Sequence, residues 1–236
     1  MDLMTHPDNL THPDNYRQIP VRSVDKWIMG VDLGQTTDPT AICVLRHLVT
    51  PVMDQEWKRD DKAKTWRQPS SERFRVYHLE RLKLGMPYPA QVQHVAALLR
   101  RPPLDAGCTL IIDETGVGRA VGDIFNAAGL KPKRVTITAG LETTQHGGDS
   151  WHVPKGVLIS TLDARLQLEE FKIADTILDH PALRDELKNF HRHVGDAGRA
   201  TWGARTGTHD DLVLACAIAL WFATSGPRSS VEPFPF

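Results

Sequence analysis

The sequence has no surplus of charge of either sign. Its 28 Lys and Arg stand against 29 Asp and Glu, a formal net charge of -1, so no global field draws a polyanion and any nucleic-acid footprint must be local. Cysteine is scarce. The three present, Cys43, Cys108 and Cys216, each sit in an apolar run, in an odd count and without a CxxC spacing. That excludes a disulfide framework, argues against a zinc site and predicts buried thiols in a reducing compartment. No apolar run approaches membrane-spanning length, and the N-terminus lacks a basic stretch followed by an apolar one. The expectation is a soluble cytoplasmic protein with no membrane partner. A GxxxxGK(S/T) phosphate loop is also missing, so these 236 residues carry no P-loop ATPase.

What is present fits one domain with a substantial core. Residues 1–25 are polar, contain the near-repeat THPDN at Thr5 and Thr11, and lack helical or strand periodicity; they read as a flexible leader or linker. Residues 26–226 read as the folded domain and 227–236 as a tail. Trp27–Leu33 and Thr40–Leu48 are predicted strands joined through GQTTDP as an antiparallel hairpin. The charged stretch Pro51–Arg73 reads as a long mobile excursion, followed by a third strand at Arg73–Leu82. A helix at Pro89–Arg100 leads to the short apolar strand Thr109–Ile112. A helix from Arg119 to Ala128, closed by Gly129, and a strand at Arg134–Thr138 complete a βαβ unit. Ala139–His152 reads as a mobile glycine-rich loop, Pro154–Glu170 and Pro181–Phe190 as helices, and His191–Ala204 as a basic strand-turn-strand. Thr208 would cap a strongly apolar helix, Asp210–Thr224. This order makes a mixed α/β sheet, three antiparallel strands plus parallel strands flanked by helices, which is the ribonuclease H-like arrangement.

Three acids fall at element ends that this topology brings together. Asp32 and Asp113 end adjacent strands on the side where open α/β sheets bind ligands, and Asp211, beside Asp210, opens the last helix. Each has a simpler reading: Asp32 as a turn former, Asp113 as a helix cap, Asp210 and Asp211 as acids favoured by the helix dipole. One shared site explains all three at once. Converging carboxylates repel, and the remedy is Mg²⁺ or Mn²⁺, which takes carboxylate oxygen and keeps water for phosphate. Two ions about 3.5 to 4 Å apart would activate water and stabilise the leaving oxygen of a phosphodiester. His209 is an auxiliary candidate, either proton shuttle or solvated side chain, and Glu114, alternate to Asp113, is a reserve ligand on the opposite face. Lys155, a cation at a helix start, is a candidate DNA-phosphate contact, as are Arg192, Arg199 and Arg205 of the basic hairpin.

The stretches WIMGVDLGQTTDPTAI, LIIDETGVG, HVPKGVLISTLDARLQ, LKNF and GTHDDLVLACAIALW resemble, in order and spacing, the nuclease domain of the large terminase subunit of tailed bacteriophages, over roughly Lys26 to Thr224. HDDL followed by a small-residue helix is the sharpest match. The resemblance implies a metal-dependent endonuclease that cuts concatemeric double-stranded viral DNA during packaging in the host cytoplasm. Its metal would be held at Asp32, Asp113 and Asp211, with the choice between Asp210 and Asp211 open. The partners it implies are a separate packaging ATPase, the small terminase subunit and the portal. A large terminase also carries an ATPase motor, which this chain lacks, so the chain is either an isolated nuclease domain or a product whose motor is another chain. Two rivals stand beside it. VDLGQTT and DETGVG also resemble the phosphate loops of actin- or sugar-kinase-like phosphotransferases, although a second related domain and an adenosine-type glycine motif are missing. A non-catalytic DNA-binding packaging subunit on the same fold is the other.

Overall fold

The structure is a computed structural model that describes residues 16–34, 36–116, 119–194, 200–204 and 209–225, excluding the side chains of 119, 191–194 and 200–204. In chain order the elements are strands β1 (Arg17–Ile19), β2 (Val24–Asp32), β3 (Ala41–Pro51), β4 (Lys58–Asp60), β5 (Thr65–Arg67) and β6 (Ser70–Arg81), then helix α1 (Tyr88–Leu99) and β7 (Cys108–Asp113). They continue with α2 (Arg119–Ala127), β8 (Lys133–Thr138), β9 (Thr144–Gln145), β10 (Ser150–Pro154), α3 (Lys155–Gln167) and β11 (Phe171–Ile173). The last are α4 (His180–Asn189), β12 (Phe190–Val194), β13 (Ala200–Ala204) and α5 (Asp211–Ser225). The chain divides into two compact units, residues 1–25 with 47–73, and residues 26–46 with 74–236.

In the first unit β1, β5 and β4 form a three-stranded sheet, β1 parallel and β4 antiparallel to β5. This corrects two sequence expectations. The leader contributes a strand at residues 17–19, and the charged excursion is β-structured. Neither segment has an apolar period. The order comes from pairing and from Arg59, whose guanidinium lies 4.7 Å from the Tyr16 ring centre, 5.8 Å from that of Trp66 and 2.6 Å from Asp61 Oδ1.

The second unit is built on an eight-stranded mixed sheet in the order β11-β6-β3-β2-β7-β8-β10-β9. β2 and β3 are neighbours joined by residues 33–40, too short a link for a parallel pair. The end of β6 meets the start of β3, with the Leu82 N–H donating to the Thr40 carbonyl at 2.8 Å, so the three form the expected antiparallel meander. β2, β7, β8 and β10 then run parallel and end on one edge. Here the expected loop 139–152 is corrected. Its C-terminal part enters β10, where Trp151 and Val153 are buried on alternate residues beside β8, and β9 pairs with it.

Strand alternation sorts the core into two layers. Ile28, Cys43, Leu45 and Ile111 pack with α3, α4 and α5, whereas Met29, Val31, Ile42 and Ile112 pack with α1 and α2. Both faces are covered, which is why these strands read as continuous apolar runs. α5 is apolar all round because it is buried all round, from Asp211 to Trp221. It lies directly on β2. A Cβ added to Gly30 would stand 2.4 Å from the Ala215 carbonyl oxygen and 3.0 Å from the Ala219 Cβ, so the glycine and the small residues of the helix are one close-packing device.

Candidate metal centre

The same alternation aims the first two acids. Asp32 follows Ile28 and Gly30, and Asp113 follows Ile111, so both point to the α5 face, and they are register partners on adjacent parallel strands. Glu114 takes the other face, with an oxygen that would stand 2.5 Å from a Cβ on Gly122 of α2 and 3.7 Å from Arg134 Nη1. Asp113 is held by Thr115. The Thr115 backbone N–H donates to Asp113 Oδ1 at 2.8 Å, the Thr115 hydroxyl donates to the same oxygen, and that hydroxyl accepts the Ile137 N–H of β8 at 2.7 Å. The sharp turn beyond β7 thus converts backbone donors of the neighbouring strand into orientation of a carboxylate.

α5 begins at Asp211, one residue later than the expected start at Asp210. Asp210 is its cap, its carbonyl accepting the Leu214 N–H at 2.9 Å, while the expected cap Thr208 lies outside the described residues. Consecutive residues at a helix start diverge, and the two acids do so in their partners. Asp210 Oδ2 accepts a 2.7 Å bond from Lys155 Nζ at the first position of α3. Asp211 is buried, 4% exposed, and its Oδ2 has no hydrogen-bond partner among the described residues. Two basic side chains stand near that oxygen, Arg81 with Nε at 3.8 Å and His209 with Nδ1 at 3.5 Å. Arg81 is itself anchored. It pairs with the buried Glu186 of α4, whose other oxygen accepts the Val213 N–H in the first turn of α5 at 2.9 Å.

Electrostatics tie the acids together. Asp32, partly exposed at its strand end, has a pKa raised well above the carboxylate range, first by desolvation and then by Asp113, Asp211 and Asp210, with Lys155 opposing. Asp113 is also raised by burial, against the hydrogen bonds of Thr115 and the charge of Lys155. Desolvation pushes Asp211 up to about 6, with His209 and Arg81 pulling down and Asp38 and Asp210 pushing further up. Five carboxylates, Asp32, Asp38, Asp113, Asp210 and Asp211, therefore take part in these interactions. The tightest gathering among the described residues is nevertheless a different trio: donor atoms of Asp38, His209 and Asp211 lie within 4.8 Å of one another. His209 Nδ1 stands 3.5 Å from Asp38 Oδ1.

Asp38 was missed by sequence reasoning, which used it only as a turn residue. The turn is what delivers it. Gly34 packs against the Asp38 carbonyl so closely that a Cβ would lie 2.1 Å from that oxygen, and the Thr40 hydroxyl and Gln91 amide both donate to the Gly34 carbonyl at 2.9 Å. The chain folds back on itself and sets Asp38 beside the start of α5. An unpartnered buried carboxylate oxygen, acids driven away from ionisation first by burial and, at Asp32 and Asp211, also by neighbouring carboxylates, and one imidazole form a donor set suited to a hard divalent cation. Of the remaining candidates, the side chain of Arg192, and Arg199 and Arg205 entirely, lie outside the described residues.

A ribonuclease H-like α/β fold with acids at the ends of its central parallel strands is what the sheet order and the site define. Solved structures carry the comparison one step further, to nucleases of phage large terminases. The large terminase nuclease of thermophilic phage G20c with bound magnesium is 20% identical over 83% of this chain and 80% of that one, with a TM-score of 0.57. Its cobalt-bound form gives the same figures. The Thermus phage P74-26 large terminase nuclease domain is 19% identical over 84% of this chain and 80% of that one, at a TM-score of 0.54. No family model and no curated protein matches the chain. The fold expected from the sequence is therefore the fold found, and it resembles terminase nuclease domains that bind metal.

Proposed function

We propose that the chain is a Mg²⁺- or Mn²⁺-dependent endodeoxyribonuclease that hydrolyses phosphodiester bonds of double-stranded DNA, cutting concatemeric viral DNA during genome packaging in the host cytoplasm. The observation that carries this reading is the pairing of Asp32 with Asp113 on adjacent strand ends, together with the buried Asp211 at the start of α5, whose Oδ2 has no hydrogen-bond partner among the described residues. In this reading Asp32, Asp113 and Asp211 hold the metal, with Asp38 and His209 beside Asp211. Bound divalent ions supply Lewis acidity toward phosphate and lower the pKa of water.

The rest of the chemistry is the chain's own. Thr115 fixes the Asp113 carboxylate in one orientation, Arg81 and Glu186 fix the first turn of α5, and Gly30 lets that helix approach the strand that carries Asp32. His209, half-exposed beside Asp211, is placed to take or give a proton at the edge of the site. The basic hairpin with Arg192, Arg199 and Arg205 supplies phosphate contacts. A separate packaging ATPase, the small terminase subunit and the portal are the proposed partners.

Plasmid nicking tests the reading. Wild type is expected to cut supercoiled DNA with Mn²⁺ or Mg²⁺ and not in EDTA. Asp32→Ala is expected to lower the rate by more than about a hundredfold, since loss of a mere outer partner of a metal ligand already costs up to about that much. Undiminished cutting by Asp32→Ala overturns it.

A further inference from the structure

Lys155 sits where helix physics does not want it. It is the first residue of α3, behind the Pro154 cap, in a first turn with no acid, and a cation at a helix N-terminus opposes the dipole. Something outside the helix must hold it there. The parallel strand β10 ends at Pro154, on the same edge as Asp32 and Asp113, so the ammonium is delivered to the acid-bearing side of the sheet. Its side chain is only 26% exposed, Nζ lies 2.7 Å from Asp210 Oδ2, and its charge lies 5.6 Å from the Phe190 ring centre. A lysine waiting for DNA phosphate has no reason to be packed between an aromatic ring and a carboxylate.

We infer that Lys155 is a positioning residue, the fixed counter-ion of the acidic site. It ties Asp210 down as its own partner and offsets the repulsion between the strand-end acids Asp32 and Asp113 when no divalent cation is bound. One further feature agrees with this role. Asp211, the neighbour of Asp210, keeps a bare buried oxygen, so the adjacent acids divide the work, one bound to the lysine and one left for metal. The inference rests on the metal-dependent reading proposed above. It replaces the sequence-based assignment of Lys155 as a DNA contact.

The test compares Lys155→Met, which keeps length and removes charge, with Lys155→Arg, which keeps charge. Thermal unfolding in EDTA at pH 8, calcium binding by calorimetry and DNA binding by fluorescence anisotropy in calcium are measured on the whole chain. Calcium is the probe because its titration does not depend on turnover. Lys155→Met is expected to melt several degrees below wild type in EDTA and to bind calcium on the order of tenfold more tightly, because a nearby unit charge that repels the ion is gone. Lys155→Arg should resemble wild type in both. Adding Asp210→Asn to Lys155→Met should then cost less stability than it does alone, the mark of a coupled pair.

If Lys155 is a phosphate contact, the methionine variant will keep wild-type melting and calcium affinity while its DNA affinity falls and the salt dependence of binding drops by about one ion; that result overturns the inference. Should the methionine variant fail to fold, Lys155→Arg and Asp210→Asn still decide, since calcium affinity unchanged by Asp210→Asn also overturns it. Failure of the parent reading is distinct: wild type itself would bind no calcium.

Discussion

Asp211→Asn should make the metal-free protein more stable. Asp211 has a pKa pushed up to about 6 against an ordinary 3.8, about two units, and each unit is worth about 1.4 kcal/mol of difference between the protonation states. The folded-state pKa is the raised one, so ionisation disfavours the fold. The contribution of Asp211 is undiminished below pH 4, declines as pH rises from about 4 to 6 and stands at its full penalty above that. Relaxation of the surrounding groups and screening by Arg81 and His209 reduce the figure, so ~1 to 3 kcal/mol is the expected gain on removing the charge at pH 8. For a chain of this size that is roughly 3–10 °C in Tm. Differential scanning calorimetry of wild type and Asp211→Asn in EDTA at pH 8 and pH 4 reads it directly, with the gain expected only at pH 8. Saturating Mn²⁺ should reverse the order, because a ligand at a hundred times its Kd stabilises the protein that binds it by about 2.7 kcal/mol. Asp211→Asn melting below wild type in EDTA at pH 8 would refute the view of Asp211 as a buried charge that its neighbours Arg81 and His209 compensate only in part.

Three further substitutions probe the supports. Gly30→Ala places a methyl group 2.4 Å from the Ala215 carbonyl oxygen and should cost about 1–3 kcal/mol in urea unfolding; an unchanged midpoint would mean α5 does not lie on β2 as described. Thr115→Val removes the hydroxyl between Asp113 and the Ile137 N–H, and should weaken Mn²⁺ binding by about 10- to 100-fold, with Thr115→Ser restoring it. Glu186→Leu leaves Arg81 without its buried partner and the Val213 N–H without its acceptor, and should lower stability by about 3–5 kcal/mol. A loss below about 1 kcal/mol in chemical denaturation would count against that network.

Much of this architecture was legible because burial on both faces writes itself into the chain. Trp27–Leu33 and Thr109–Ile112 are apolar runs that break at an acid, and the break marks where each strand leaves the core. The end helix was equally plain, since a segment as apolar as Leu212–Trp221 has nowhere to lie but inside. What escaped has physical reasons. β1, β4 and β5 are short and mostly polar, and their order depends on pairing with segments tens of residues away. β10 alternates correctly at Trp151 and Val153, but glycines and polar residues flank it and mask a five-residue signal. Asp38 looks like any turn residue until the chain folds back at Gly34. The division between Asp210 and Asp211 could not be read at all, because it turns on where the helix begins, to within one residue.

α5 has a consequence for timing. It is the last described helix, yet it fills the middle of one layer of the core, pressed on β2 through Gly30, and its first residue is one of the acids. A ribosome therefore emits Asp32 and Asp113 long before the element that faces them, and the strands meanwhile lack one wall of their interior. Docking of residues 211–225 closes the core and brings Asp211 into place in a single event. Closure of the core and arrival of the third acid are thus expected in the same step, and a half-made chain has neither a finished interior nor Asp211 opposite the two strand ends.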